Sequence, residues 1–384
     1  MTARNNARVG AVILAAGMSS RMGEAKQLLP LGGNTVLGQV LENVRHSTVD
    51  KIVLVLGHAA EAIKQHVNLQ GLQVVTNDAH QQGMGTSLRA GISVLPPEVE
   101  AALIVLADQP FVRPATLNAI IGRYRNSNAQ IVIPIYKGFR GNPVLLDRCV
   151  FSEIMALGGD IGCRAIFGGH LEGIVKAPVK DIGILLDLDS KDDFEKLQHF
   201  SPGTVHEKTR IASNDLQGRE ISSAEDLSRG EQLIIVGREP VAIALARLGK
   251  SLHLTVIVVD PWMTISDLPE ADWLLNALDF SQLPPASTRY VVVASRGQFD
   301  EEAVEQALQF DCTYIALVAN KKRAREVLRS LELRGESPER LARVRAPAGL
   351  DIGAETAEEI ALSIMAEIFS EKRNRSANKL STRP

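Results

Sequence analysis

Residues 9–30 of the 384-residue chain read VGAVILAAGMSSRMGEAKQLLP, and this stretch decides how the rest of the sequence is interpreted. Its apolar run Val12–Leu14 predicts a strand buried on both faces, and the small residues Ala15–Gly17 follow directly. Ligands of α/β sheets bind where such strands end, and small residues let backbone N–H groups approach a phosphate. Arg21 and Lys26 add a guanidinium fork and a point charge, two cation types that suit phosphates. The stretch therefore predicts a triphosphate-binding loop.

Other phosphate-binding loops do not fit this stretch. A Walker A loop needs a serine or threonine after its lysine, whereas Gln27 follows Lys26. The Gly-x-Gly-x-x-Gly pattern of dinucleotide-binding folds does not fit either. A strand followed by scattered charges would explain a single glycine and a single lysine. The combined spacing from Gly17 through Arg21 to Lys26, directly after a strand, is more specific and favours a nucleotide.

Length and charge limit the class of protein. A chain of 384 residues is long enough for two domains, and its net charge of −3 gives no electrostatic reason to expect nucleic acid. No apolar run is long enough to span a bilayer, and the segment before the first strand is too short for a signal peptide. Cys149, Cys163 and Cys312 lack metal-ligand spacing, which is typical of reduced, mostly buried thiols. We therefore expect a cytoplasmic protein with neither nucleic acid nor membrane as partner.

Apolar strand-like runs alternate with helical patterns along the chain. This alternation predicts two doubly wound α/β domains with mostly parallel sheets. The segment from about 200 to 230 is polar and poor in aromatic and branched residues, as expected of a linker. The predicted organisation is a first domain over 1–200, a linker over 201–230, a second domain over 231–372 and a polar tail over 373–384.

An aspartate follows the predicted strand at 101–106. Asp108 stands at the tip of this strand, and Pro110 stops the strand and fixes the turn. Mg²⁺ prefers one or two carboxylates together with phosphate oxygens and waters. An aspartate before Gln-Pro could also be a turn former. Its place at the binding edge of the sheet makes Asp108 the first candidate for a metal ligand.

Three segments together resemble one family. They are LAAGMSSRMGEAKQLLP at 14–30, QQGMGTSLRAG at 81–91 and LADQPF at 106–111. They resemble the MobA-like nucleotidyltransferases, and closely the molybdenum cofactor cytidylyltransferases. The resemblance implies that Arg21 and Lys26 contact the triphosphate, that Asp108 binds Mg²⁺, and that the segment at 81–91 contacts base and ribose. The implied nucleotide-binding residues are Leu14, Ala15, Ala16, Gly17, Ser19, Lys26, Gly83, Gly85 and Ser87. A cap at a helix start would also explain the two glycines and the hydroxyl pair at 83–87.

Later segments resemble the acceptor side and the second metal ligand of the same family. GNPVLL at 141–146 and GDIGCR at 159–164 imply that Asn142, Asp160 and Arg164 bind the acceptor, although a turn with a surface arginine would also explain the latter pair. LLDLDS at 185–190 implies a second metal carboxylate. Alternation along a predicted strand would put Asp187 and Asp189 on one side. Asp189 is the preferred ligand, and Asp187 is the next candidate.

The second half begins with a dinucleotide-type βαβ pattern. A strand at 231–237, a helix at 241–250 and a strand at 254–259 that ends at Asp260 make this pattern. Its fingerprint is damaged, since Arg238 and Glu239 follow Gly237 where a second glycine is needed, and Glu239 would repel a phosphate. Binding of NAD in the usual way is therefore not expected.

The second half resembles the C-terminal Rossmann-like domain of the XdhC/CoxI family, accessory proteins for molybdenum hydroxylases. The similarity is carried by YIALV followed by KKR at 314–323 and by APAGLDIGAET at 346–356. The basic residues at 321–323 could hold a phosphate, while an exposed basic helix would explain them equally well. Thr356 and Glu359 have the spacing of a capping box and predict the start of the final helix.

The two resemblances imply one activity. It is Mg²⁺-dependent transfer of CMP from CTP to a molybdopterin-type cofactor, with release of pyrophosphate. A molybdenum hydroxylase apoenzyme is the implied protein partner. One alternative is the same chemistry with GTP or with a sugar phosphate. Another is a cofactor chaperone without catalytic activity.

Overall fold

The computed structural model describes residues 4, 6–17, 25–159, 162–188, 194, 230–263 and 267–375. The chain forms two compact units. The first comprises Met1–Tyr136 and Arg140–Ile211, and the second comprises Lys137–Phe139 and Ala212–Pro384. Membrane crossing would require a longer and more apolar helix than any that these described residues form.

The first unit is built on a mixed, mostly parallel sheet flanked by helices. Its strands are β1 (Val9–Ala15), β4 (Lys51–Leu56), β5 (Gln73–Thr76), β6 (Ala101–Leu106), β7 (Ile131–Tyr136), β9 (Val144–Asp147) and β10 (Ile174–Pro178), while β2 (Pro30–Leu31) and β3 (Asn34–Thr35) form a separate ribbon. The short strand β8 (Phe139–Arg140) pairs with β7. Its helices are α1 (Val36–Arg45), α2 (Ala60–His66), α3 (Met84–Ser93), α4 (Pro114–Arg125) and α5 (Phe151–Ala156). The sheet order is β10-β7-β9-β6-β1-β4-β5, and β9 runs antiparallel to both of its neighbours.

Strand β1 lies in the interior of this sheet and is buried on both faces. Ala11 and Ile13 pack into a core with α1, α2 and α4. Val12 packs into the opposite core with α3 and α5. Because alternate side chains of a strand point to opposite faces, both faces of β1 must be apolar, as its sequence is. The unit is therefore doubly wound.

The second unit carries a parallel sheet with helices on its faces. Its strands are β11 (Glu231–Val236), β12 (Thr255–Val259), β13 (Trp273–Leu275), β14 (Thr288–Val293), β15 (Tyr314–Leu317) and β16 (Val344–Arg345). Its helices are α6 (Pro240–Ser251), α7 (Asp300–Gln309), α8 (Lys321–Leu333), α9 (Pro338–Leu341) and α10 (Ala357–Lys372). The order β13-β12-β11-β14-β15-β16 reverses between β11 and β14, which is the switch point where ligands bind in such sheets. The predicted fold class of two α/β domains with mostly parallel sheets is confirmed.

One predicted strand is wrong. The segment from 184 was expected to be a strand that carries the second metal ligand, but Ile182–Leu185 form a 3-10 turn, and residues 186–188 are irregular. Asp181 caps this turn by accepting a hydrogen bond from Gly183 N. A Cβ atom on Gly183 would lie 2.3 Å from the Phe111 carbonyl oxygen, so the turn packs closer than a side chain allows. A buried apolar run cannot by itself distinguish a strand from a turn of this kind.

Candidate active site

Three parallel strands end together at one edge of the first sheet. In the register of β1, Ala15 pairs with Leu56 of β4 and Leu14 pairs with Leu106 of β6. Whatever follows these three strands is therefore gathered at the same edge. We call this the carboxyl edge of the first sheet.

The loop after β1 begins with a close backbone approach. Ala16 is buried, and Gly17 is exposed. A Cβ atom on Gly57 would lie 2.6 Å from the Ala16 carbonyl oxygen. Only glycine therefore fits at position 57, where the chain after β4 passes Ala16. The buried side chain of Gln27 donates a 3.5 Å hydrogen bond from Nε2 to the Gly17 carbonyl. The two flanks of the loop are thereby joined.

Four of the predicted site residues lie outside the described residues. They are Ser19, Arg21, Asp160 and Asp189. Their roles stay predictions.

Lys26 and Asp108 form an ion pair at the carboxyl edge. Lys26 lies in a 3-10 turn (Lys26–Leu28), and its Nζ is 2.6 Å from Asp108 Oδ2, just past β6. Only 15% of the Lys26 side chain and 20% of the Asp108 side chain are exposed. The structure thus brings together the predicted phosphate-binding cation and the predicted metal-binding carboxylate. Asp108 Oδ1 is buried and has no hydrogen-bond partner among the described residues.

Asp187 is held beside Asp108 by two contacts. The Gln109 side chain donates a short hydrogen bond from Nε2 to Asp187 Oδ1. Leu188 N donates a 3.0 Å hydrogen bond to the backbone carbonyl of Asp108. Gln109 is buried, and sequence reasoning missed it; its signal was its place in the Asp-Gln-Pro turn. Asp187 thus contacts Gln109, the residue after Asp108, whereas Asp189 lies outside the described residues.

The donor set fits a divalent cation such as Mg²⁺. An unpaired buried oxygen of Asp108, with a second carboxylate at Asp187 nearby, offers the hard oxygen ligands that Mg²⁺ prefers. Within the described ranges, no three or more histidine, cysteine, aspartate or glutamate side chains cluster as a ready metal site. The arrangement therefore suits a metal that takes few protein ligands and completes its shell with phosphate oxygens and water.

Asn77 organises the second predicted nucleotide segment. Its buried amide donates from Nδ2 to Thr86 Oγ1 at 2.8 Å and to Ser87 Oγ at 3.0 Å. Its Oδ1 accepts a 3.0 Å hydrogen bond from Ala79 N. Sequence reasoning missed Asn77, although an asparagine directly after a strand is a common turn former.

The hydroxyl pair does not precede α3 as a capping loop would require. Gly83 is the residue before the helix, with φ of 105°, a left-handed value that favours glycine. Gly85, Thr86 and Ser87 lie inside the first turn and are buried. The predicted nucleotide residues Gly83, Gly85 and Ser87 therefore occupy the start of α3.

His80 also lies in this segment, in the turn before α3. Its Nδ1 lies 3.0 Å from the Asn77 carbonyl oxygen, so Nδ1 carries the proton. Its buried Nε2 has no hydrogen-bond partner among the described residues, and its ring centroid is 6.2 Å from that of His58.

Two backbone hydrogen bonds join the segments of the predicted acceptor side to the rest of the site. Asn142 N donates a 2.9 Å hydrogen bond to the Ile184 carbonyl, three residues before Asp187. Gly85 N donates a 3.2 Å hydrogen bond to the Gly159 carbonyl, beside the predicted Asp160. Arg164 is half-buried within the 3-10 segment Cys163–Gly173.

Arg140 is a further candidate that sequence reasoning missed. It is 5% exposed, and its guanidinium lies 5.8 Å from the ring centroid of Phe167. Its charge also acts on Cys163, although burial dominates and raises the pKa of that thiol. An arginine directly before the segment at 141–146 was the available signal.

The cysteines are free thiols. Cys163 and Cys312 are buried, whereas Cys149 is exposed, so the expectation of mostly buried thiols is met. Burial raises the pKa of Cys149 and of Cys312 to about 11. Thiolate chemistry at neutral pH is therefore disfavoured at these positions.

In the second unit, one charge of the damaged fingerprint and one charge of the basic segment at 321–323 are paired with other residues. Glu239, which was expected to repel a phosphate, lies 3.0 Å from Arg296. Arg323 of the basic segment at 321–323 is bound by Asp300 at 3.2 Å and by Glu301 at 3.1 Å. Arg323 thus belongs to an internal ion-pair network, and the possible phosphate site at 321–323 stays a prediction.

The fold and this geometry agree with comparisons against known families. Residues 11–174 match the MobA-like NTP transferase domain, and residues 233–368 match the XdhC Rossmann domain. The N-terminal unit therefore contains a MobA-like NTP transferase domain, and the C-terminal unit contains an XdhC Rossmann domain.

Individual relatives match about half of the chain. The molybdenum cofactor cytidylyltransferase of Escherichia coli K12 is 25% identical over 188 residues, which cover 48% of this chain and 93% of the relative. The uncharacterized protein YqeB of the same organism is 27% identical over 196 residues, or 48% of this chain and 36% of YqeB. The crystal structure of the Mycobacterium tuberculosis Rv0371c homolog from Mycobacterium sp. strain JC1 is 34% identical. The match covers 50% of this chain and 95% of the Mycobacterium sp. chain, with a TM-score of 0.46.

Proposed function

We propose that the first unit transfers CMP from CTP to the phosphate of a molybdopterin-type cofactor and releases pyrophosphate. The observation that carries the chemistry is the Lys26–Asp108 pair at the carboxyl edge of the first sheet. The acceptor is inferred from the similarity to the E. coli molybdenum cofactor cytidylyltransferase, together with an XdhC Rossmann domain on the same chain. A molybdenum hydroxylase apoenzyme as partner, and a cytoplasmic location, belong to the same proposal.

At the carboxyl edge, the basic residues would bind the triphosphate and the acidic residues would bind the metal ion. Lys26 would bind the triphosphate of CTP as a point charge once it leaves Asp108, and Arg21 would add a bidentate contact. Backbone N–H groups of the loop after β1 and of the start of α3 would orient phosphates and base. Asp108, with Asp187 or Asp189, would hold Mg²⁺, which supplies charge neutralisation at the triphosphate.

The bond changes need little proton chemistry. An oxygen of the acceptor phosphate attacks the α-phosphorus of CTP and forms the new P–O bond. The bond between the α-phosphorus and the bridging oxygen breaks, and pyrophosphate leaves with that electron pair. A phosphate nucleophile is already ionised at neutral pH, so no general base is required. Catalysis then rests on positioning and electrostatic stabilisation.

The acceptor would lie on the side of the site formed by Asn142, Asp160 and Arg164. Asn142 is backbone-bonded to the segment that carries Asp187, and Gly159 is bonded to the start of α3. An acceptor in contact with both would therefore touch the metal side and the base side. Arg164 would contribute a cation for the phosphate of the acceptor.

The test is pyrophosphate release with CTP or GTP, Mg²⁺ and a molybdopterin acceptor. Wild type is compared with Asp108→Asn and with Glu61→Gln, a control at an exposed carboxylate of α2. Release with CTP that is lost in Asp108→Asn and kept in Glu61→Gln supports the proposal. Release with GTP alone would make the protein a guanylyltransferase. A folded protein that binds the acceptor and releases no pyrophosphate with either nucleotide would be a chaperone.

A further inference from the structure

Helix α8 carries a row of exposed cations that ends in an exposed leucine. Lys321, Arg325, Arg329 and Leu333 follow one another at intervals of four residues, so they lie along the same side of the helix. All four are exposed, and Lys322 beside them is exposed as well. A rise of about 1.5 Å per residue makes the row about 18 Å long. We call these five residues the basic row.

The cations of the basic row differ from the arginines around them in their ion pairs. Arg323 is bound by Asp300, and Arg334, which follows the last residue of α8, lies 3.5 Å from Glu305. Within the part of the chain that the structure describes, no carboxylate forms an ion pair with a cation of the basic row. The row therefore presents its positive charge to solvent.

The two lysines of the basic row lie where cations destabilise a helix. The N-terminus of a helix carries a partial positive charge, which favours acidic residues in the first turn. The first turn of α8 reads KKRA at 321–324, whereas α10 has Glu358 and Glu359 in its first turn. The lysines of α8 are thus placed against the stability of their own helix. Local conflicts of this kind are expected where residues serve a function.

Two acids on the exposed side of α8 limit the kind of partner. Glu326 and Glu332 are exposed between the cations of the basic row. A nucleic acid or an anionic bilayer would bring phosphates against these carboxylates too, and the net charge of −3 gives neither a long-range attraction. A protein surface can place acids opposite the cations and an apolar group opposite Leu333. The basic row therefore fits an acidic protein surface.

The second unit itself displays such a surface around the start of α10. We call it the acidic patch, and its exposed residues are Asp351, Ile352, Glu355, Glu358 and Leu362. Leu362 lies one helical turn after Glu358 and is 54% exposed, as is Leu333 of the basic row. No acid of the patch forms an ion pair with another described residue. The patch thus offers negative charge next to apolar side chains.

The basic row and the acidic patch lie on opposite faces of the second sheet. Helix α10 packs with α6 in one core, to which Ala361 and Ile364 belong. The buried side chains of α8, which are Ala324, Val327 and Leu331, are not part of that core, so α8 covers the other face of the sheet. The two surfaces cannot meet within one second unit. Each can reach its complement on another copy of the chain.

We propose that the protein self-associates through its second unit, with the basic row of one copy on the acidic patch of the next. Arg325 and Arg329 pair with Glu355 and Glu358, and Leu333 is covered by the apolar side chains of the patch. Because the two surfaces differ, the contact is heterologous and joins copies head to tail into a ring or an open chain. The proposal does not depend on the proposed function.

Sedimentation velocity of the full chain tests the proposal. The wild type should associate in a concentration-dependent way at about 0.05 M NaCl and dissociate at about 1 M, where charges are screened within about 3 Å. Arg325→Glu/Arg329→Glu and Glu355→Lys/Glu358→Lys should each associate at least about tenfold more weakly, since like charges then face each other. Arg123→Glu/Lys176→Glu, at two exposed cations of the first unit, changes the net charge equally and should behave as wild type.

Mixing the two reversed variants separates a lost contact from a damaged fold. In an equimolar mixture, each reversed surface meets a surface of opposite charge on the other variant, so association should return. A mixture that stays monomeric would overturn the proposal, as would a wild type that is monomeric at all concentrations. Association of either reversed variant at wild-type strength, or loss of association in the first-unit control, would overturn it as well.

Discussion

The Lys26 ammonium lies 2.6 Å from the Asp108 carboxylate, although 82 residues separate them in the sequence. Each side chain is largely buried, so each charge needs a partner when the other leaves. A triphosphate would take over Lys26, and a divalent cation would take over Asp108. In the proposed function, Lys26 and Asp108 would therefore neutralise each other until CTP and Mg²⁺ replace the two partners.

Replacing Lys26 by methionine should lower kcat/KM for CTP by about 10²- to 10³-fold, as expected when a preorganised cation at a transferring phosphate is lost. Steady-state pyrophosphate release measures this. Lys64→Met, at an exposed lysine of α2, is the matched control. If Lys26→Met kept wild-type kcat/KM, Lys26 would serve only to neutralise Asp108.

Replacing Gln109 by leucine should weaken metal binding by about 10- to 100-fold, because Gln109 fixes the carboxylate of Asp187 beside Asp108. Titration with Mn²⁺, followed by electron paramagnetic resonance, measures the affinity without turnover. Gln65→Leu on the exposed face of α2 should not change it. An unaltered Mn²⁺ affinity in Gln109→Leu would mean that Asp187 does not contact the metal.

Asn77→Ala should destabilise the fold by about 1 to 3 kcal/mol, because it removes both donors to Thr86 and Ser87 from a buried site. It should also raise KM for CTP more than it lowers kcat, since the start of α3 loses its support. Urea unfolding and steady-state kinetics give the two quantities, and Asn68→Ala at an exposed loop is the control. A change in kcat alone would argue against a role in binding.

The pKa of Asp260 is raised from 3.8 to about 6, chiefly by burial, so the folded state holds its proton more tightly than the unfolded state does. Stability from this group is complete below pH 4 and is lost as the pH rises through about 6. Asp260→Asn has no charge to bury. The free energy of unfolding of Asp260→Asn minus that of wild type should therefore increase between pH 4 and pH 7, by up to about 3 kcal/mol. Urea unfolding across this range checks it, and a difference that does not vary with pH would refute it.

Local signals in the sequence were sufficient for most elements. The fold class was predictable because β1, β4, β6 and β12 are apolar runs bounded by turn residues. The capping box of Thr356 and Glu359 is present as predicted, since it depends only on residues three apart. Predictions of this kind do not require knowledge of contacts between residues that are distant in the sequence.

Long-range partners could not be predicted in the same way. Nothing near Lys26 in the sequence indicates that it meets Asp108, and nothing near Glu239 indicates Arg296. Both pairs arise because parallel strands far apart in sequence end at one edge. The 3-10 turn at 182–185 was missed for a similar reason. It is set by the close contact of Gly183 with Phe111, which periodicity cannot report.

Helix α3 rests directly on the sheet at Gly91. A Cβ atom there would lie 2.3 Å from Val12 Cγ1 and 2.9 Å from Val55 Cγ2. The helix therefore packs closer to the sheet than any residue with a side chain at position 91 would allow. Its other end carries Gly85 and Ser87 of the proposed nucleotide segment. A single methyl group at position 91 would lift the whole helix and move that segment without touching any ligand. In the proposed function, a substitution at Gly91 would therefore change the affinity for the nucleotide although every residue that faces the ligand stays the same.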